Sequence, residues 1–78
     1  MMKIKIYGTE NCPWTEKSIH WFENRGVTKF TYHDVQKDFK LREEMIKKSS
    51  QLTCPVIEMD REIIIGYDVK KLEKALLN

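Results

Sequence analysis

Long hydrophobic runs are missing from this sequence. Charged residues make up 33% of the chain, and every apolar stretch ends well before the roughly 20 residues that a helix needs to cross a bilayer. The first residues also lack an apolar segment long enough for a secretory signal. These absences predict a soluble, cytoplasmic protein with no membrane partner.

A dominant charge of one sign is also missing. The formal net charge is only +2, and basic residues are mixed with acids, as in the segment KLREE at 40–44. Such mixtures are typical of solvated helix faces rather than of a basic patch that binds phosphates. The sequence therefore predicts no nucleic-acid partner. Because no linker, repeat or low-complexity tract divides the chain, we expect residues 1–78 to form a single domain, and we expect a monomer.

Cysteine is scarce, with two residues in the whole chain. Two thiols in a reducing compartment are more often reactive or buried than joined in a permanent disulfide. One of them, Cys12, lies in the segment NCPWT at 11–15. This segment has the form of a C-x-x-C redox motif in which Thr15 occupies the place of the second cysteine. The question is whether a second sulfur lies elsewhere.

Hydrophobic periodicity and turn residues predict four strands and three helices. Alternation over residues 3–7 predicts a strand that ends at Gly8, and Pro13 is well placed as the first residue of a helix that runs to about Arg25 and stops at Gly26. The remaining predicted elements are a strand at 28–33, a helix at 37–48, strands at 55–59 and 62–65 around a turn at 60–61, and a helix at 68–77 that Asp68 caps.

This order, β-α-β-α-β-β-α, restricts the topology. The first two strands are joined through a helix and should be parallel, with a right-handed crossover. The last two should form an antiparallel hairpin. A mixed four-stranded sheet with helices on both faces, in the α/β class, is the simplest layered arrangement.

Cys12 is predicted to lie at the N-terminus of the first helix. Unpaired N–H groups and the positive end of the helix dipole stabilise a thiolate there, and pKa values of about 3.5–7.5 occur in such positions. Pro13 stiffens the turn, and the Thr15 hydroxyl can donate a hydrogen bond to the sulfur. The alternative is a buried, inert cysteine that happens to precede a helix.

Five segments together carry a resemblance to a known family. They are IYG at 6–8, CPW at 12–14, DV at 34–35, TCPVI at 53–57 and IGYD at 65–68, followed by Leu72. In their order and spacing they resemble the glutaredoxins of the thioredoxin-fold superfamily, over nearly the whole chain. The resemblance implies the glutaredoxin fold and thiol–disulfide oxidoreductase activity.

The resemblance also implies roles for single residues. Cys12 would be the nucleophile, and Pro55 would be a cis-proline that faces it. The backbone of Thr53 and Cys54 would pair with an extended substrate. Cys54 would then lie beside Cys12, near enough for a disulfide if their Cα atoms approach within about 7 Å. Cys54 either resolves a mixed disulfide or only packs, since the family usually has valine there.

Besides Cys54, the chain departs from the family at two further places. Thr15 replaces the second motif cysteine, so chemistry has to proceed through Cys12 alone or with Cys54. The turn that binds glutathione in the family is reduced to Gly66, Tyr67 and Asp68, of which the glycine and the aspartate also have structural explanations.

Several side chains around the nucleophile are candidates for substrate contact or repulsion. Pro13 and Trp14 would contact substrate from the first turn of the helix, with Tyr67 as the opposite wall; the alternative for Trp14 is a core position. Glu10 would repel the carboxylates of glutathione. His20 and His33 are expected at the surface.

We therefore expect a thiol–disulfide oxidoreductase with no tightly bound cofactor and no metal site. Glutathione or another thiol would be the co-substrate. Its partners would be a disulfide-containing protein or a low-molecular-weight thiol, and a reductase or thiol electron donor. Two alternatives remain: a module that holds a metal or an iron–sulfur cluster through Cys12 and Cys54, and a degenerate member without chemistry.

Overall fold

The structure, a computed structural model, describes residues 2–77. Its elements follow the predicted order β-α-β-α-β-β-α. They are β1 (Ile4–Gly8), α1 (Pro13–Asn24), β2 (Thr31–Asp34), α2 (Phe39–Ser49), β3 (Val56–Met59), β4 (Glu62–Ile65) and α3 (Val69–Leu77). Within the described residues, no helix is long and apolar enough to cross a membrane.

The four strands form one mixed sheet in the order β2-β1-β3-β4. The β1–β2 pair is parallel and the β3–β4 pair is an antiparallel hairpin, which confirms both predictions. β1 also runs antiparallel to β3, with Tyr7 opposite Val56. β2 begins at Thr31 rather than at residue 28, because its pairing with β1 starts where Lys5 faces Thr31.

The helix ends follow local capping. α2 begins at Phe39, later than predicted, because the Asp38 carboxylate accepts hydrogen bonds from two backbone N–H groups of the first turn. The Asp68 carboxylate accepts from the backbone N–H of Lys71 at 3.2 Å, which confirms its predicted capping role. α1 ends at Asn24, shortly before Gly26, whose φ of +73° suits glycine.

Successive strand residues point to opposite faces, and each face carries its own core. α1 and α3 cover the larger core, and α2 covers the smaller one, so helices lie on both faces as predicted. The larger core comprises Ile4, Ile6, Trp21, Phe22, Ile57, Met59, Ile64, Leu72 and Ala75. The smaller core comprises Tyr7, Val35, Met45 and Val56.

A polar network completes the smaller core. The buried Tyr7 hydroxyl donates to Glu44, and Lys48 donates to the Tyr7 oxygen at 3.1 Å and to Glu58 at 2.7 Å. The His33 ring stacks on Tyr7 with ring centroids 5.2 Å apart. His33 is therefore half-buried rather than at the surface, because the parallel register places it beside Tyr7.

Candidate active site

The sheet register brings the two cysteines to the same end of the molecule. Tyr7, near the end of β1, faces Val56 at the start of β3. Cys12 follows β1 and is the N-cap residue of α1, with extended backbone dihedrals. Cys54 precedes β3, and its peptide bond to Pro55 is cis. Because β1 and β3 are antiparallel neighbours, the segment after β1 and the segment before β3 lie side by side.

The two cysteines are in direct contact. The Cys12 Sγ lies 3.4 Å from the carbonyl oxygen of Cys54, to which its thiol donates. Each thiol is also one of the causes that shift the pKa of the other. The Cys54 Sγ lies 3.9 Å from the Thr9 Oγ1. Both cysteines are free and partly accessible, so both can react.

Thr15 lies beneath the two sulfurs. It is only 2% exposed, and its Oγ1 has no hydrogen-bond partner of good geometry among residues 2–77. That oxygen is nevertheless close enough to both thiols to lower the pKa of each. Its other neighbour is Gly8, where a Cβ would lie 2.4 Å from both the Cγ2 and the Oγ1 of Thr15. The absence of a side chain at Gly8 is therefore what lets Thr15 occupy this place.

The pKa of the Cys12 thiol lies below its ordinary value. Burial is the largest single influence and raises the pKa, but four hydrogen bonds together outweigh it. Their donors are the Cys54 thiol, the Thr15 hydroxyl, and the backbone N–H groups of Thr15 and Trp14. The direction agrees with the expectation from the helix N-terminus. Cys12 therefore carries more thiolate at neutral pH than an ordinary cysteine.

The pKa of Cys54 is shifted upward instead. Burial is again the largest influence, and the hydrogen bond to Cys12 and the charge of Cys12 add to it. The hydroxyls of Thr9 and Thr15 lower the pKa but do not compensate. The pair therefore consists of a thiolate-prone Cys12 and a Cys54 that keeps its proton.

The predicted aromatic wall lies beside the nucleophile. Trp14 is 52% exposed, and this excludes the alternative of a core tryptophan; Trp21 occupies the core. The Trp14 and Tyr67 rings are stacked, with centroids 6.3 Å apart and planes inclined by 27°. The Lys17 Nζ lies 4.6 Å from the centroid of the Trp14 ring. An exposed, flat surface with one cation thus adjoins Cys12. Pro13, also exposed, lines the groove beside Tyr67.

The residues of the predicted substrate backbone and turn have visible structural roles. The Gly66 N–H donates to the Pro55 carbonyl at 2.8 Å, and the φ of Gly66 is +80°, which favours glycine. Asp68 caps α3. Thr53 is exposed next to Cys54. These contacts explain Gly66 and Asp68 without a ligand, so glutathione contact at this turn stays a prediction.

Three features around the site were not predicted from the sequence. Glu10, expected to repel anions, forms a 3.0 Å ion pair with Lys37, which reduces its effective charge. Thr9 contacts Cys54. Burial raises the pKa of Tyr32, and the charges of Asp34, Glu10 and both cysteines add to this. None of them belongs to a recognisable motif, and the contacts of Thr9 with Cys54 and of Glu10 with Lys37 form only in the tertiary structure.

Other predicted features are separate from the site. His20 is exposed on α1, 4.0 Å from Glu16, and contacts neither cysteine. Within the part of the chain that the structure describes, no three His, Cys, Asp or Glu residues are grouped as metal ligands. Cys12 and Cys54 are therefore the two ligands that one chain offers here.

A thiolate-prone cysteine at a helix N-terminus, facing the proline loop of a mixed sheet, defines a thiol redox protein of the thioredoxin-like class. Residues 4–64 match the family profile described as Glutaredoxin. The chain is 37% identical over 73 residues to an uncharacterized glutaredoxin-like 8.6 kDa protein from the rubredoxin operon of Clostridium pasteurianum, covering 94% of this chain and 96% of that protein. The chain belongs to the glutaredoxin family.

Two further comparisons agree with this family. Over 68 residues, the chain is 34% identical to glutaredoxin 3 of Escherichia coli K12, covering 87% of this chain and 81% of that protein. The crystal structure of the glutaredoxin grx-1 from Archaeoglobus fulgidus matches all of this chain and 89% of its own chain, with a TM-score of 0.88. At 22% sequence identity, this last match supports the fold alone.

Proposed function

We propose that this member of the glutaredoxin family, whose membership supports thiol–disulfide oxidoreductase activity in general, exchanges disulfides through Cys12 as its nucleophile. The observation that carries the proposal is the lowered pKa of Cys12 together with its position at the N-terminus of α1. A thiolate is the attacking species in disulfide exchange, so the residue that ionises first attacks first.

In the first step, the Cys12 thiolate attacks one sulfur of a substrate disulfide. A Cys12–substrate disulfide forms, the substrate's own S–S bond breaks, and the leaving thiolate takes a proton from solvent. The Thr15 hydroxyl and the N–H groups of the first turn of α1 donate hydrogen bonds to the sulfur that carries charge. The exposed Trp14 ring and the backbone of Thr53 and Cys54 are the surfaces we assign to substrate.

In the second step, Cys54 or an external thiol breaks the mixed disulfide. Cys54 is in contact with Cys12, and the charge of Cys12 is one cause of its raised pKa. That charge disappears when Cys12 enters a disulfide, so the pKa of Cys54 falls at the moment when it is needed. Cys54 then attacks the Cys12 sulfur, which gives a Cys12–Cys54 disulfide and releases the substrate thiol.

The partners follow from this chemistry. The oxidant is a disulfide in a protein or in a small molecule, and the reductant is glutathione, another thiol or a reductase. A reducing, cytoplasmic setting fits two free cysteines. No tightly bound cofactor is needed for the exchange.

Stoichiometric oxidation of the reduced protein tests the proposal, with intact mass and peptide mapping in the presence and absence of glutathione. A Cys12–Cys54 disulfide supports internal resolution. A glutathione adduct on Cys12 alone supports resolution by an external thiol. No modification of Cys12 in either condition, with an alkylation rate no faster than that of free cysteine, would overturn the proposal and favour a degenerate family member.

A further inference from the structure

The Cys12–Cys54 pair also has the composition of a binding site for a soft cation. The two thiols come from separate elements, the N-cap of α1 and the segment before β3, and the Cys12 Sγ lies 3.4 Å from the carbonyl oxygen of Cys54. Both are partly accessible.

A second observation is the orphaned hydroxyl of Thr15. It is a polar group in a 2% exposed side chain, without a partner of good geometry in residues 2–77, and its nearest polar groups are the two sulfurs. A buried hydroxyl with only poorly aligned partners costs free energy, and a better acceptor would recover part of that cost. A site in which both sulfurs carry negative charge would give this hydroxyl an acceptor.

We propose that Cys12 and Cys54 bind one Cu(I) ion as a two-coordinate bis-thiolate. Thiolates are the ligands that Cu(I) prefers, and Cu(I) is stable with two of them. Zinc and iron–sulfur clusters require about four ligands, whereas the described part of this chain groups no three His, Cys, Asp or Glu residues. Two ligands from the chain are therefore too few for zinc or an iron–sulfur cluster, but they are enough for a monovalent soft ion.

The charges of the complex balance at this position. The Cys12 thiolate binds Cu(I), the Cys54 thiol loses its proton to solvent, and the copper stays in the +1 state, so no electron is transferred. The resulting bis-thiolate complex carries one negative charge. The backbone N–H groups of Trp14 and Thr15, which lower the pKa of Cys12, stabilise that charge in the same way. Because a proton is released, the affinity for Cu(I) rises with pH.

Anaerobic titration of the reduced full-length protein with Cu(I), in competition with the chromogenic chelator bicinchoninate, tests this site. We expect one Cu(I) per chain and X-ray absorption that reports two sulfur ligands. Cys12→Ser and Cys54→Ser should each weaken Cu(I) binding by more than about 100-fold, since each removes a ligand. Thr15→Val should weaken binding by about 10-fold, since it removes only a hydrogen bond to a ligand.

Three results would overturn the proposal. The first is that Cys54→Ser binds Cu(I) as tightly as the wild type. The second is a stoichiometry of one Cu(I) for two chains. The third is that the wild type binds Cu(I) no more tightly than free dithiothreitol does. Circular dichroism of each variant separates loss of the site from loss of the fold. Disulfide reduction, measured on the same samples, separates this proposal from the exchange function, because exchange needs Cys12 but no metal.

Discussion

Cys12 and Cys54 carry the same thiol side chain and lie in neighbouring segments. Their pKa values nevertheless shift in opposite directions. Cys12 begins the helix α1, whereas Cys54 ends an irregular segment just before β3. Burial raises the pKa of both, so burial does not explain the difference. The explanation has to lie in the groups that donate hydrogen bonds to each sulfur.

Those donors differ in kind. Two backbone N–H groups of α1 lower the pKa of Cys12, whereas the groups that lower the pKa of Cys54 are the hydroxyls of Thr9 and Thr15. The first N–H groups of a helix have no partner within the helix, and they form the positive end of its dipole. The interaction between the two thiols, which lowers the pKa of Cys12 and raises that of Cys54, is the larger cause of the difference, and the N–H groups of α1 add to it. Together they favour Cys12 as the proposed nucleophile.

Replacing the nucleophile should have the largest effect. Cys12→Ser is expected to abolish reduction of a small disulfide, because a serine hydroxyl does not ionise near neutral pH. Cys54 should not take over, since burial, the largest cause of its raised pKa, remains in this variant and no backbone N–H group of a helix is among the groups that lower its pKa. The measurement is thiol release from the substrate. Residual activity in Cys12→Ser that disappears only in the double Cys12→Ser, Cys54→Ser variant would contradict the assigned roles.

Replacing the second cysteine should reduce turnover only when no other thiol is present. Cys54→Ser is expected to lose turnover with protein disulfides when no other thiol is present, and to recover it when glutathione is added in excess. The reason is that, in the proposed mechanism, Cys54 resolves the mixed disulfide from within the chain. Trapped mixed disulfide on Cys12, observed by mass spectrometry, is the positive signal. Unchanged turnover without added thiol would show that Cys54 is only a packing residue.

Adding a methyl group at Gly8 should change the pKa of Cys12 by displacing Thr15. Gly8→Ala would place a Cβ 2.4 Å from the Thr15 side chain, and such overpacking costs about 1–3 kcal/mol in the free energy of unfolding. Thr15 has to move, so the pKa of Cys12 should rise. Denaturant unfolding measures the free energy of unfolding, and the pH dependence of alkylation measures the pKa of Cys12.

Gly26→Ala is the matched control. It has no atom within 4 Å of the added Cβ but has a φ of +73°, so it should cost about 1–2 kcal/mol and leave the pKa of Cys12 unchanged. Equal pKa values in the two variants would mean that Thr15 does not act on the sulfur.

The order of elements and the position of Cys12 could be predicted from the sequence, because periodicity and Pro13 act locally. The approach of Cys54 could not be derived in this way, since it depends on the antiparallel pairing of β1 with β3. The contact of Gly8 with Thr15 was missed because it depends on how α1 packs against the end of β1. Local signals predict where a thiolate can form, but its neighbours depend on the packing of distant strands.

Removing the Thr15 hydroxyl should lower the reactivity of Cys12 but increase the stability of the fold. Thr15→Val keeps the shape of the side chain but removes a donor to Cys12, so the pKa of Cys12 should rise and its alkylation at neutral pH should slow. The same change removes a buried hydroxyl without a good partner, so the free energy of unfolding should increase by about 1 kcal/mol. Thr15→Ser keeps the hydroxyl and should retain the pKa. A destabilised Thr15→Val protein with normal alkylation would contradict both expectations.

The smallest expected effect is a pH dependence of stability in the reduced protein. Between the lowered pKa of Cys12 and the ordinary thiol pKa of about 8.5, the unfolded chain binds more protons than the folded one, so stability rises with pH. Between about 8.5 and the raised pKa of Cys54, the folded chain binds more protons, so stability falls as pH rises. The two thiols alone therefore give a maximum near the ordinary thiol pKa.

Variants separate the two limbs of this curve. Subtracting the curve of Cys12→Ser from that of the wild type should isolate the rising limb, and the corresponding subtraction for Cys54→Ser should isolate the falling limb. Each limb should also shrink in the other variant, since each thiol contributes to the pKa of its partner. Denaturant unfolding at a series of pH values measures these curves. Parallel curves for the wild type and both serine variants would mean that the two cysteines do not differ in ionisation, and the division of roles between them would fail.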